Sequence, residues 1–249
     1  MLADVTDSGQ DSDDYMFHTN EYEEAVAALE VTAAFLRQAE GQPALWRLVI
    51  VSLHSAVQGF MVVALKGSQS IGALTQYDIG AILAAERNLV PALASNKAPA
   101  PVVDPGVLYF EAKLADFLEL YERIKKPKWP MRQFVSSTAF RPRGTDTRCI
   151  KDLNRVRNEF IHFKPMHRSY LLTQFPAMVD AGLHVIEFLL HDSNNVIFAG
   201  FPEEPLYQRS EAALREARDT LGRVSEKYAG KPRPKNPLCG SRSSSNRKA

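Results

Sequence analysis

Residues 157–162 read RNEFIH and set a guanidinium (Arg157), a carboxamide (Asn158) and an imidazole (His162) among Val156, Phe160, Ile161 and Phe163, where aliphatic side chains would pack better. Histidine titrates near neutrality and can take or deliver a proton. Arginine's planar fork grips a phosphate or another oxyanion through paired hydrogen bonds. Together the three side chains suit chemistry on an anionic centre. At about 100° per residue, Asn158 and His162 fall roughly 40° apart around a helix, whereas Arg157 and His162 fall roughly 140° apart. Convergence therefore needs a cleft shared by two helices, or by the same helix in two subunits. Taken singly, the three also fit a surface arginine, a helix-interior asparagine and a histidine satisfied by a neighbour. Arg47 with His54 and Arg155 with His162 have comparable spacing, but an apolar residue, Leu48 or Val156, follows the arginine in each. His54 lies in the most apolar stretch and reads as a core or helix-interface histidine.

The elements that carry these residues are helices. Asn20 and Glu23 have the spacing of a capping pair and open a helix over 21–41. Pro43 starts a second, over 43–67, apolar on most faces and therefore expected at the centre. A third, over 78–95, is expected to break at Pro91, and a Pro- and Ala-rich loop over 96–106 follows. One long helix over 107–126 leads to a basic connector over 127–144 with at most one short helix. Thr145 or Asp146 caps the next helix, which bears the RNEFIH segment and stops at Pro165. Helices over 169–193 and 204–230 complete an all-α, multi-helix bundle with no period-two strand pattern and no internal repeat. Residues 1–18 read as an acidic flexible tail, 19–229 as a single domain and 230–249 as a basic flexible tail.

A net charge of +1 conceals a strong asymmetry. Residues 1–40 hold ten acids against Arg37 alone, whereas 123–168 hold thirteen Lys and Arg against Asp146, Asp152 and Glu159. Such a block attracts a polyanion, or forms a solvated basic face balanced by an acidic one. Trp129 and Tyr170 fit core positions as well as surface ones, so the block identifies no base-reading residue. The run 45–65 is interrupted by Arg47, Ser52, His54, Ser55 and Gln58, which argues against a membrane span. The acidic N-terminus lacks the features of a signal peptide, and a cytoplasmic protein is expected. Cys149 and Cys239 have no ligand spacing, and the chain has no HExxH, P-loop or GxGxxG motif, so neither metal nor cofactor is expected. No compact helix-turn-helix supports a DNA-binding regulator.

In its motif and its helical surroundings the chain resembles the HEPN superfamily, whose signature is an arginine, then a polar residue, then a histidine within four to six positions on one helix. Arg157, Asn158 and His162 match it. The resemblance implies a metal-independent endoribonuclease that cleaves RNA through its own 2'-OH, with these three residues in the catalytic site. It implies a homodimer in which two copies of the motif meet. Arg155, Lys164 and Arg168 lie close in sequence and are expected to position backbone phosphates. A toxin or defence effector with an antitoxin-like or regulatory protein partner fits the same resemblance. So does a noncatalytic dimeric module that binds nucleotide, RNA or a protein.

Overall fold

Local capping chemistry starts the first helix as the sequence predicts. The computed structural model describes residues 17, 19–94, 105–162, 168–198 and 204–229, and in it α1 spans Glu21–Ala39. Asn20 Oδ1 accepts from the backbone N–H of Tyr22 at 3.0 Å and of Glu23 at 3.1 Å, satisfying two donors that have no partner within the helix. Pro43 opens a single 3-10 turn that runs directly into α2, Trp46–Lys66. With Trp46, Ile50, Leu53, Val57, Phe60 and Met61 all buried, α2 is the axis of the bundle and packs against α1 and three later helices. By length and composition Pro43–Lys66 could cross a bilayer, yet 61% of its most apolar window is buried inside the protein.

The sequence expectations fail in three places, the first being the helix expected from residue 169, whose α-helical part begins only at Phe175 after a 3-10 turn over Leu172–Gln174. α3, Gln76–Ala94, continues through Pro91. That proline lies in the last turn, where its missing N–H removes one hydrogen bond close to the helix end. The long helix expected over 107–126 is in fact two, α4 (Pro105–Glu111) and α5 (Phe117–Ile124). Residues between them pair with the loop that follows α2: Thr75 N donates to Lys113 O at 2.8 Å, and Ala115 N to Ala73 O at 2.9 Å. Lys113 N turns to the Asp78 carboxylate at 3.1 Å. Helix continuity is given up for these bonds. From α5 the buried Arg123 guanidinium locks the same loop, donating to Gly72 O at 2.8 Å and Leu74 O at 2.7 Å.

α6 spans Asp146–Ile161, α7 Phe175–His191 and α8 Pro205–Ala229. α5, α6 and α7 surround α2, while α8 lies across α1 and α7. Arg209 on α8 grips Glu30 on α1 through both carboxylate oxygens, and Arg218 bridges Asp180 and Glu187 on α7. The protein is an all-α helical bundle; among the described residues the sole strand-like contact is the isolated bridge between Leu74 and Leu114. The tails expected at 1–18 and 230–249 lie, apart from Phe17, outside the described residues, as do Pro165 and most of the loop expected at 96–106.

Candidate functional site

Three faces of α6 do different work. Ile150, Leu153 and Val156 are buried and fasten the helix to the core. On the solvent side Arg155 is bound to Asp152 at 3.2 Å and Glu159 at 3.1 Å, and Arg148 approaches Asp152 at 4.0 Å. Arg155, expected to meet phosphate, thus has its charge offset by two carboxylates. The third stripe, Asn154, Arg157 and Asn158, has i, i+3, i+4 spacing and is half-buried.

Arg157 differs from the other arginines of α6 in its partners. Its Nη1 donates to Asn158 Oδ1 at 3.0 Å, and it forms no ion pair among the described residues. Its Nε is buried with no hydrogen-bond partner there. A guanidinium held by a neutral carboxamide keeps its full charge available to an anion.

Across the interface, His54 of α2 is buried at 2% exposure and stacks on Phe117 with ring centroids 3.9 Å apart. Its Nε2 lies 3.0 Å from Asn154 Oδ1. That oxygen can only accept, so Nε2 carries the proton and Nδ1 the lone pair. Nδ1 is buried without a partner among the described residues. Burial, and secondarily the Arg157 charge, lower the pKa of His54 to about 4 against the pull of Asn154. The ring is therefore neutral at physiological pH and cannot serve as the acid of a proton-transfer pair there.

The C-terminal end of α6 holds the remaining elements. His162 occupies the C-cap with extended backbone (φ −87°, ψ 99°), and its N–H closes the last turn on Asn158 O at 3.1 Å. The imidazole is exposed and makes no hydrogen bond or ion pair with another described residue. Two arginines satisfy the final carbonyls: Arg47 from α2 donates to Phe160 O at 2.8 Å, and Arg168 donates to Glu159 O. Both place positive charge where the helix dipole favours it. Phe160 packs edge-on against Tyr170 at 4.9 Å, and Tyr170 donates to Glu159 at 2.9 Å.

Within one chain, then, Arg157 joins Asn158 and the His54–Asn154 pair, while His162 stands apart on the rim. Lys164 lies outside the described residues. Two participants outside the RNEFIH motif were not singled out for the site: Asn154, whose signal in the sequence is its helical spacing from Arg157, and Arg47, whose signal is its position seven residues before His54. Tyr170 is a packed, half-buried ring, but Trp129 stands 48% exposed in the basic connector. No three His, Cys, Asp or Glu side chains among the described residues gather as metal ligands. No family model, curated protein or solved structure matches the chain.

Proposed function

We propose that this chain is a metal-independent endoribonuclease of HEPN type, acting as a homodimer in which Arg157 and His162 meet on one phosphodiester. The observation that carries the reading is the contrast on α6. Arg148 and Arg155 are matched by carboxylates, whereas the half-buried Arg157 is held only by neutral Asn158 and lies one to two turns from an exposed imidazole. A guanidinium without a carboxylate partner can take an anion, and RNA offers the anion together with an internal nucleophile.

In this reaction the 2'-oxygen bonds to phosphorus as the bond to the 5'-oxygen breaks. The 2'-OH gives up a proton and the leaving oxygen gains one, and His162 carries one of these transfers. Arg157 binds the non-bridging oxygens, with Asn158 orienting its fork. The products are a 2',3'-cyclic phosphate and a 5'-hydroxyl. Leu48 and Ile161, 38% and 37% exposed, lie at the same end of the α2–α6 pair as His162 and supply apolar area for a second copy.

The test is cleavage of single-stranded RNA in EDTA. Wild type should leave cyclic-phosphate ends, while His162→Ala and Arg157→Ala, with oligomeric state unchanged, should lose on the order of 100-fold or more. Equal cleavage by His162→Ala would refute the assignment. A second reading, a dimeric module that binds RNA, nucleotide or protein without turnover, draws on the placement of Arg157 against the His54 side of the helix pair. It predicts Arg157-dependent binding with no product.

A further inference from the structure

The connector after α5 is acid-free from 125 to 144 and contains Lys125, Lys126, Lys128, Arg132, Arg141 and Arg143. Lys125 is tied to Glu122, and Arg143 approaches Asp146 and Asp180. The other four, Lys126, Lys128, Arg132 and Arg141, are exposed and make no side-chain hydrogen bond or ion pair with a described residue. Interleaved with them are Trp129 at 48% exposure, Phe134 at 46% and Val135 at 99%. A depression of about 160 Å³ opens beside them, walled in part by Arg132, Val135 and Thr138.

This segment is not a loose loop. Buried Asn195 donates to Met131 O at 2.6 Å and to Ala64 O, at the end of α2, at 3.0 Å. Gln133 reaches the same Ala64 carbonyl at 2.7 Å. Asn194 holds Ser136 O at 3.0 Å, and Ser137 Oγ receives the N–H of Phe134 at 2.8 Å. Pro130, Met131 and Phe140 anchor the chain from below. The anchored backbone therefore holds two aromatic rings about half-exposed at the surface beside the fully exposed Val135, an apolar patch ringed by cations.

We infer that the connector is a binding platform for single-stranded RNA, with Trp129 and Phe134 stacking on bases and Lys126, Lys128, Arg132 and Arg141 contacting phosphates. A cation adjoins each ring in sequence, Lys128 beside Trp129 and Arg132 near Phe134, which matches the alternation of base and phosphate along a single strand. Its anchors place the platform at the Ala64 end of α2, whereas the last turn before His162 is held by Arg47, 17 residues earlier on α2 and so about 26 Å along that helix. The platform thus selects and holds RNA remote from the proposed point of cleavage. It rests on the reading of RNA as this protein's ligand, though not on cleavage itself.

The test uses the full chain and a fluorescent 2'-O-methyl oligouridylate of about 15 nucleotides, which cannot be cut through its 2' position. Binding should quench Trp129 emission. Trp129→Ala/Phe134→Ala should weaken it about tenfold or more, while Trp129→Phe, which keeps a stacking ring, restores most of it. Arg132→Glu/Arg141→Glu should weaken binding similarly and flatten its salt dependence. Circular dichroism checks that each variant is folded. Wild-type affinity in either double variant, or binding to phosphatidylserine vesicles with none to the oligonucleotide, overturns the inference. Binding that follows these variants in a chain that cuts no RNA upholds the platform and removes only the cleavage reading.

Discussion

His54 makes stability depend on pH in a way the structure quantifies. The unfolded ring titrates near 6.5 and the folded ring at about 4. Between these values the unfolded chain binds the proton and the native chain does not, so stability rises with pH across that window and is lost as pH falls through it. The contribution is fully present above pH 6.5. It falls by about 2 kcal/mol on going from pH 7 to pH 5, and by about 3 kcal/mol in all below pH 4. The cause is local: protonation at Nδ1 would place a charged N–H without a partner in apolar surroundings, near the Arg157 guanidinium.

The measurement is urea unfolding at pH 7 and pH 5. With a slope of about 2 kcal/mol per M, this histidine alone should shift the midpoint by about 1 M. His54→Gln keeps an amide donor for Asn154 but has no proton to gain. Its midpoint should therefore move less between the two pH values, by that same amount. The other five histidines remain in both proteins, so the difference isolates His54. An equal shift in wild type and His54→Gln, or an NMR titration of the His54 ring near 6.5, would refute the burial argument.

Two further predictions concern the frame around the site. A Cβ on Gly59 would come within 2.8 Å of Ala25 Cβ, so Gly59→Val should destabilise by roughly 1–3 kcal/mol in chemical denaturation, with Ala25→Gly recovering part of the loss. Arg123→Met leaves the Gly72 and Leu74 carbonyls without their donor. It should cost about 3 kcal/mol and lower Tm by roughly 6–12 °C, read by calorimetry.

What the sequence made legible was local. Asn20 and Glu23 announced the start of α1 because a cap is made by residues two and three positions away. The apolar faces of α2 and α6 set their burial for the same reason. The split of 107–126 into two helices was hidden because its cause, the bonds from Thr75, Ala73 and Asp78, comes from another part of the chain. The site divides the same way. Arg157, Asn158 and His162 were readable as a motif, but the partner of Asn154 stands 100 residues away on α2 and carries no mark beyond being a histidine in an apolar helix. Trp129 misleads in the opposite sense: its side chain suits a core, yet it stands about half-exposed in a segment whose neighbouring residues Asn195 and Gln133 pin to the end of α2.

Helical geometry sets the terms for the proposed reaction. Arg157 and His162 differ by five positions, so they point roughly 140° apart and about 7.5 Å along the axis, and a single chain does not aim both at one phosphorus. In the proposed twofold dimer the guanidinium would come from one copy and the imidazole from its partner, and that arrangement makes a numerical prediction. Arg157→Ala and His162→Ala should each be inactive alone, since every composite site then lacks one group. When the two are unfolded together, mixed in equal amounts and refolded, about half the dimers are mixed, and each mixed dimer has one intact site of its two. The mixture should recover about a quarter of wild-type cleavage per chain. If both groups instead acted within one chain, no pairing could restore a site, and the mixture would stay as inactive as its components.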